Sequence, residues 1–344
     1  MDERSELYSA DELLDGFSTG GFTGTWDFGI FREFMRTGGA APGSAARRKQ
    51  ALHDATISDA LMGYLLSELP LVGIMGGHKV HRDSPAYRAV AELTNTLAGE
   101  FLVASGGGPG AMEAAHVGAA APDLETVDRL INRLSAEPEL PRLIDIVDRG
   151  GNVIGTPETL AAAERWLAAG IDARSLLKEV RPSLAIPTWL YGQEPTMPFA
   201  TAYAKYFHNS IREEALVKQS AAGIIYARGG GGTLREIFQD VEENYYAPSA
   251  NAFTPMIFFD PEGYWQRDFG GTADGIDLDD LLRRIIVKAR AGTGDANQCL
   301  AKIHFTTDVD EVLEALRAHR GVARQNLELM SAGGAGDLFR ALLR

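Results

Sequence analysis

Gly223-Ile-Ile-Tyr-Ala-Arg-Gly-Gly-Gly-Gly-Thr-Leu-Arg-Glu236 changes backbone geometry twice within one short stretch. Gly223 to Ala227 is a continuous apolar run without alternation, the pattern of a strand buried on both faces. Four glycines follow, and from about Leu234 to Tyr246 the apolar residues return at helical spacing. Glycine lets backbone pass close to a ligand, and the unpaired N–H groups of a helix's first turn, with its dipole, favour a phosphate. A second stretch repeats the order: strand Glu100-Phe-Leu-Val-Ala-Ser105, then Gly106, Gly107, Gly108, Pro109 and Gly110, then a helix from Met112 to Ala120. A single glycine cluster is an ordinary tight turn. Two in strand-turn-helix context point to two walls of one nucleotide site.

Outward from these loops the pattern continues. A helix over Ala45 to Leu69 ends at Pro70, Leu71-Val-Gly-Ile-Met75 is the first buried strand, and Pro85 to Gly99 is a helix. Leu124 to about Ala169 is expected to be mostly helical, Ser183 to Leu190 a strand, and Phe199 to Gln219 a helix containing Arg212. Pro255 to Phe259 and Ile303 to Thr307 add strands, with helices near Leu278 to Arg290 and Val309 to His319. Strands alternating with helices predict an α/β, Rossmann-like, doubly wound parallel sheet with helices on both faces. Residues 1–45 mix Gly, Phe and Thr without a sustained period and read as an irregular arm. Residues 46–320 form one nucleotide-binding domain with a helical insertion at about 121–182. Residues 321–344 are a tail, set off by Gly333-Gly-Ala-Gly336 and suited to dock on a second subunit.

The net charge of −14 and the single cysteine, Cys299, narrow the function classes. A nucleic-acid-coating surface needs clustered Lys and Arg, so no nucleic-acid partner is expected, and an anionic small molecule needs a local positive pocket. One cysteine builds neither an intrachain disulfide nor a thiolate metal site, which suits a reduced, cytoplasmic setting. The amino terminus is acidic and lacks an apolar leader core, and no stretch approaches a membrane span, so neither secretion nor insertion is expected.

In the second loop, Gly229, Gly230, Gly231 and Gly232 offer backbone N–H groups and Thr233 adds a hydroxyl, with a positive φ expected at Gly231. Glu236 then has two readings. A carboxylate in the first helical turn is stabilised by the dipole, so it is a capping charge; or it reaches a ribose, where it stabilises positive charge at C1′ or positions water. Arg212 either binds a phosphate or substrate oxygen bidentately or pairs on the surface with Glu213 or Glu214. After the first strand, Gly76 and Gly77 lead into His78, Lys79 and Arg82, which are candidates for phosphate or base contact. His78 and His81 lack the carboxylate spacing of a metal pair, so no metal site is expected. Met112, beginning a helix, reads as core, and Trp189, Tyr191 and Phe199 either stack on a base or pack.

Gly229-Gly-Gly-Gly-Thr-Leu-Arg-Glu236 resembles the Pro-Gly-Gly-x-Gly-Thr-x-x-Glu motif of the LOG family, the nucleoside 5′-monophosphate phosphoribohydrolases long labelled lysine decarboxylases. Ser105-Gly-Gly-Gly-Pro-Gly-Ala-Met-Glu113 resembles that family's first glycine loop, most closely in its larger bacterial nucleotide nucleosidases. The resemblance covers Leu71 to Ala120 and Ser183 to Arg320 in the same order. It implies a dimer and hydrolysis of the N-glycosidic bond of an AMP-like nucleoside monophosphate to free base and ribose 5-phosphate, with no cofactor. Glu236 and Arg212 are the matching catalytic positions, and Gly76, Gly77, Gly106, Gly107, Gly108, Gly110 and Met112 the nucleotide-binding ones. This chain departs from the family where Arg228 replaces the motif's proline, where the Arg212-to-loop spacing is one residue longer, and where residues 121–182 are additional.

The alternative is a carrier or sensor of the same fold, binding a nucleotide or a molybdenum cofactor without hydrolysis. A dehydrogenase is disfavoured because Gly106-Gly-Gly-Pro-Gly does not spell G-x-G-x-x-G, and a decarboxylase because no lysine has Schiff-base context.

Overall fold

The computed structural model describes residues 4–66, 69–142, 145–190, 195–267 and 278–333, with side chains to residue 325. Helices α1 (Ala10–Leu13), α2 (Phe17–Gly24), α3 (Trp26–Arg36) and α4 (Ser44–Leu65) precede the first strand. The expected irregular arm is therefore helical. Glycines at 16, 20, 21 and 24 hide the period, and Gly16 and Gly21 take positive φ where the chain kinks. Beyond them the Thr25 hydroxyl caps α3 by accepting from Phe28 N at 3.2 Å. Phe28, Phe31 and Phe34 recur at helical spacing and are buried. Asp27 locks the arm to the domain: it is buried and accepts from Trp189 Nε1 at 2.7 Å, from the backbone and hydroxyl of Thr196, and from Lys205.

Among the described residues, seven strands form one sheet: β1 (Leu71–Met75), β2 (Leu102–Ser105), β3 (Ser183–Ala185), β4 (Ala202–Tyr203), β5 (Gly223–Tyr226), β6 (Met256–Phe259) and β7 (Ile303–Thr306). Every pairing is parallel and the order is β4-β3-β2-β1-β5-β6-β7, the expected doubly wound α/β arrangement. Parallel strands need crossovers, and helices lie in most of them: α5 (Pro85–Leu97), α6 (Ala111–Ala120), α7 (Leu124–Leu134), α8 (Pro157–Ser175), α9 (Asn209–Gln219), α10 (Gly231–Tyr245), α11 (Tyr264–Arg267), α12 (Leu278–Ala289) and α13 (Ala296–Leu300), while α14 (Val309–Gly333) follows the last strand. Ser84 caps α5 ahead of Pro85, accepting from Tyr87 N at 3.2 Å. Tyr226, Phe258 and Phe305 are in register on neighbouring strands and stack, with centroids 5.0 and 4.4 Å apart.

Three further expectations are corrected. Phe199 to Gln219 is not one helix: Ala202 and Tyr203 pair with Leu184 and Ala185 at the sheet edge, and Asp54 takes the backbone N–H groups of Phe207 and His208, each at 2.9 Å, just before α9 begins. Among its described residues the insertion carries two helices, α7 and α8, rather than one mostly helical stretch. Between α7 and α8 an antiparallel bridge joins Val147 to Val153, around a turn in which Asp148 accepts from Gly150 N and Asn152 N. The tail does not separate at 320, because α14 continues to Gly333; the rest of the predicted tail lies outside the described residues. Among the described residues no helix is long and apolar enough to cross a membrane.

Candidate functional site

The chain builds β1, moves outward through β2, β3 and β4, and returns to β5 on the other side of β1. At such a reversal the loops leaving the two central strands diverge, and the crevice outside their carboxyl ends is where open α/β sheets receive ligands. The loops after β1 and β5 meet there: Gly77 N donates to Arg228 O at 2.8 Å, and Ala111 N, opening α6, donates to Gly77 O at 3.1 Å. This lacing needs glycine. A Cβ on Gly76 would lie 2.6 Å from the Ala111 Cβ, and Gly110, at φ +75°, has no room for one against Gly77 O.

Above the laced loops lies a cavity of about 870 Å³, lined by residues 76–81 on one side and 228–233 on the other, with Met112, Arg212, Glu213 and Glu236 at its wall. Its size falls in the range of small-molecule sites. Helix α10 opens into it with no side-chain cap. Its first intrahelical bond here runs from Leu234 N to Gly230 O at 3.0 Å, so the helix offers the amides of Gly231, Gly232 and Thr233 no acceptor. Gly230, Gly231 and Gly232 have no positive φ, and a Cβ on any of them would meet nothing within 4 Å. The expectation of a positive φ at Gly231 is thus corrected: neither backbone nor neighbours require glycine at these three positions. Gly229 differs, since a Cβ there would strike the Thr233 side chain.

Arg212 and Glu236, distant in sequence, meet at this wall. Arg212 Nη1 stands 3.2 Å from Glu236 Oε1, and both side chains are about nine-tenths buried or more. Nε of Arg212 donates to Ile186 O at 2.8 Å, and Nη2 reaches Gly106 O at 3.5 Å. The surface pairing considered for Arg212 does not form: Glu214 pairs with Lys218 at 2.6 Å, and Glu213 lies beside Arg235. The expectation that Glu236 stands in the first turn of α10 is corrected: the helix begins at Gly231, so Glu236 lies beyond that turn, where it pairs with Arg212.

The first glycine loop has another part than the one expected for it. Gly106, Gly107, Gly108 and Gly110 are buried and do not line the cavity; of that loop and helix only Met112 does. A Cβ on Gly106 would lie 2.2 Å from Arg212 Nη2 and 2.6 Å from Met112 Sδ, so this glycine makes room for the arginine. Behind it, Ser105 Oγ donates to Met112 O and accepts from Gly107 N, which leaves His116 Nε2 to donate to Ser105 Oγ at 2.8 Å and His116 Nδ1 to accept from Ser183 Oγ at 2.9 Å. Burial pushes the His116 pKa down to about 3, in keeping with that neutral tautomer.

Arg82, a candidate for ligand contact, is buried elsewhere. It bonds Glu113 twice, at 2.8 and 2.6 Å, donates to Trp166 O, and lies 4.0 Å over the Trp166 ring. Trp189 and Phe199 are core, and Tyr191 lies outside the described residues. His78, Lys79 and His81 line the cavity, with His81 2.7 Å from Glu139. Sequence reasoning missed Glu213, Glu262 and Tyr264 as lining residues. Arg228, the departure from the family motif, bonds Glu262 at 2.8 Å and lies 5.1 Å over the Tyr264 ring, while Tyr264 Oη donates to Gly229 O at 2.6 Å. Nothing in local spacing announces Glu262 and Tyr264, because they come from the segment after β6. Among the described residues no group of three or more His, Cys, Asp or Glu stands together to hold a metal. No known family model and no curated protein matches the chain.

Proposed function

We propose that the protein hydrolyses the N-glycosidic bond of a nucleoside 5′-monophosphate, a purine one such as AMP, to the free base and ribose 5-phosphate. The observation that carries this reading is the Arg212–Glu236 pair at the cavity wall, just beyond an uncapped helix start whose three glycines are not needed by the fold. In this reading the amides of Gly231, Gly232 and Thr233 hold the phosphate. In the proposed pose C1′ faces the pair. As the bond to the base breaks, positive charge grows at C1′ and the Glu236 carboxylate stabilises it, while Arg212 fixes that carboxylate in place. Water adds its oxygen to C1′, and the leaving base takes up a proton. The chemistry calls for no cofactor, and the resemblance to the LOG family supports a homodimer in the cytoplasm.

Incubating the protein with a panel of nucleoside monophosphates and reading released base by chromatography tests turnover. Calorimetry with AMP and adenosine tests the cradle, which predicts far weaker binding of the nucleoside. Equal affinity for the two removes the phosphate role of the α10 start. Tight binding of AMP with no base release from any nucleotide replaces the hydrolase with a carrier or sensor.

A further inference from the structure

Among the described residues three carboxylates, Glu213, Glu236 and Glu262, line the cavity, in a chain whose net charge is already −14. Each faces a cation: Arg212 stands 3.2 Å from Glu236, Arg228 2.8 Å from Glu262 and Arg235 2.9 Å from Glu213. Lys79 differs from these. It is exposed, lines the same cavity, and among the described residues has neither an ion pair nor a hydrogen bond. With the carboxylates already balanced, the wall carries one lysine in surplus, and the ligand that balances a lysine is an anion.

Backbone contacts put Lys79 beside the proposed phosphate cradle. Gly77 N donates to Arg228 O at 2.8 Å, and a Cβ on Gly77 would lie 3.2 Å from Gly229 Cα, so the two loops touch main chain to main chain. Lys79 lies two residues beyond Gly77 on one side, and Gly231 two residues beyond Gly229 on the other. Backbone amides at a helix start carry only partial charge, so a phosphate held by them alone keeps most of its own uncompensated. The other two cations on the wall are committed: Arg212 to Glu236 and Ile186 O, Arg228 to Glu262 and the Tyr264 ring. A lysine stem is long and flexible, and its ammonium is a compact charge with three donors, which suits the oxygens of a terminal phosphate. We propose that Lys79 supplies the full positive charge that meets the 5′-phosphate, so that the site selects its ligand by the charge at that end as well as by its shape. This deepens the nucleotide reading above and rests on it.

The test is calorimetry of AMP and ribose 5-phosphate with the wild type, Lys79→Met and Lys79→Arg. Changing an exposed side chain that has no partners leaves the fold in place. Lys79→Met keeps an unbranched stem and removes the charge, and is expected to bind both ligands about tenfold more weakly, the loss associated with a hydrogen bond to a charged group. Lys79→Arg keeps the charge and is expected to stay close to the wild type. A wild type that binds AMP, with a Lys79→Met that binds it equally well, overturns the role of Lys79 and leaves the nucleotide reading standing. A loss for AMP that ribose 5-phosphate does not share overturns it too, as does an equal loss in Lys79→Arg. If the wild type binds neither ligand, both readings fall.

Discussion

Glu236 and Gly231 separate chemistry from binding. Glu236→Gln keeps the side chain's size and removes the charge that, in the proposed hydrolysis, faces the reacting carbon; loss of one such electrostatic contact costs about 10²- to 10³-fold in kcat. Binding of AMP is expected to survive, since the proposed phosphate cradle is backbone. Base release at the wild-type rate by this variant moves the catalytic role to another residue. Gly231→Val makes the complementary case. A Cβ at 231 meets nothing and the backbone there is not left-handed, so the melting temperature is expected to hold or rise, glycine being the weaker helix former. AMP affinity is expected to fall, because the branched side chain occupies the space over the free amides. A melt and a calorimetric titration on the same preparation check both halves, and unchanged affinity counts against a ligand at this turn.

At the scale of elements, Asp240 ties α10 to the end of β5. Its Oδ2 accepts from Tyr226 Oη at 2.7 Å, and its Oδ1 accepts from Asn244, whose amide also bonds Thr254 on the way to β6. Burial pushes the Asp240 carboxyl up to about 7 from its ordinary value of 3.8. Between those values the folded protein keeps a proton that the unfolded chain has released, so this group's contribution to stability is present at low pH and lost as the pH rises to about 7. His116, depressed to about 3, acts oppositely, weakening the fold as the pH drops below its ordinary value of 6.5. Asp240→Asn removes the first trend alone. Its melting temperature relative to wild type is expected to climb from pH 4 to pH 8, as followed by circular dichroism; a constant difference sinks the assignment.

Elements with strong local signals were legible in the chain. Leu71–Met75 is found where its unbroken apolar run puts it, and the helices after both glycine loops begin within three residues of expectation. What escaped depended on distant partners. Two residues make up β4, too few to carry a period, and the edge of β3 alone makes them a strand. Glycines interrupt the helical signal of the arm, whose folding shows only in what Asp27 and the phenylalanines bury against. In the site, the motif nominated Arg212 and Glu236, and they meet. The first glycine loop shows a feature its spacing does not announce: Gly106 leaves room for Arg212.

On the scale of the whole molecule, the position of β1 bears on how the protein is made. β1 is the first strand to leave the ribosome, yet it ends in the middle of the sheet, flanked by β2 on one side and β5 on the other. Until residues 223–226 are synthesised, Val72 to Met75 present an apolar edge with its hydrogen-bonding groups unpaired. Such an edge invites pairing with another chain. A fragment ending at residue 222 is therefore expected to aggregate when expressed alone, and to become soluble when residues 223–333 are supplied as a separate chain. Sedimentation of the fragment with and without its complement checks this, and a soluble, monomeric 1–222 counts against it. The strand that centres the finished crevice is thus also the one left waiting longest during synthesis, and a nascent chain is most exposed to misassembly before that crevice exists.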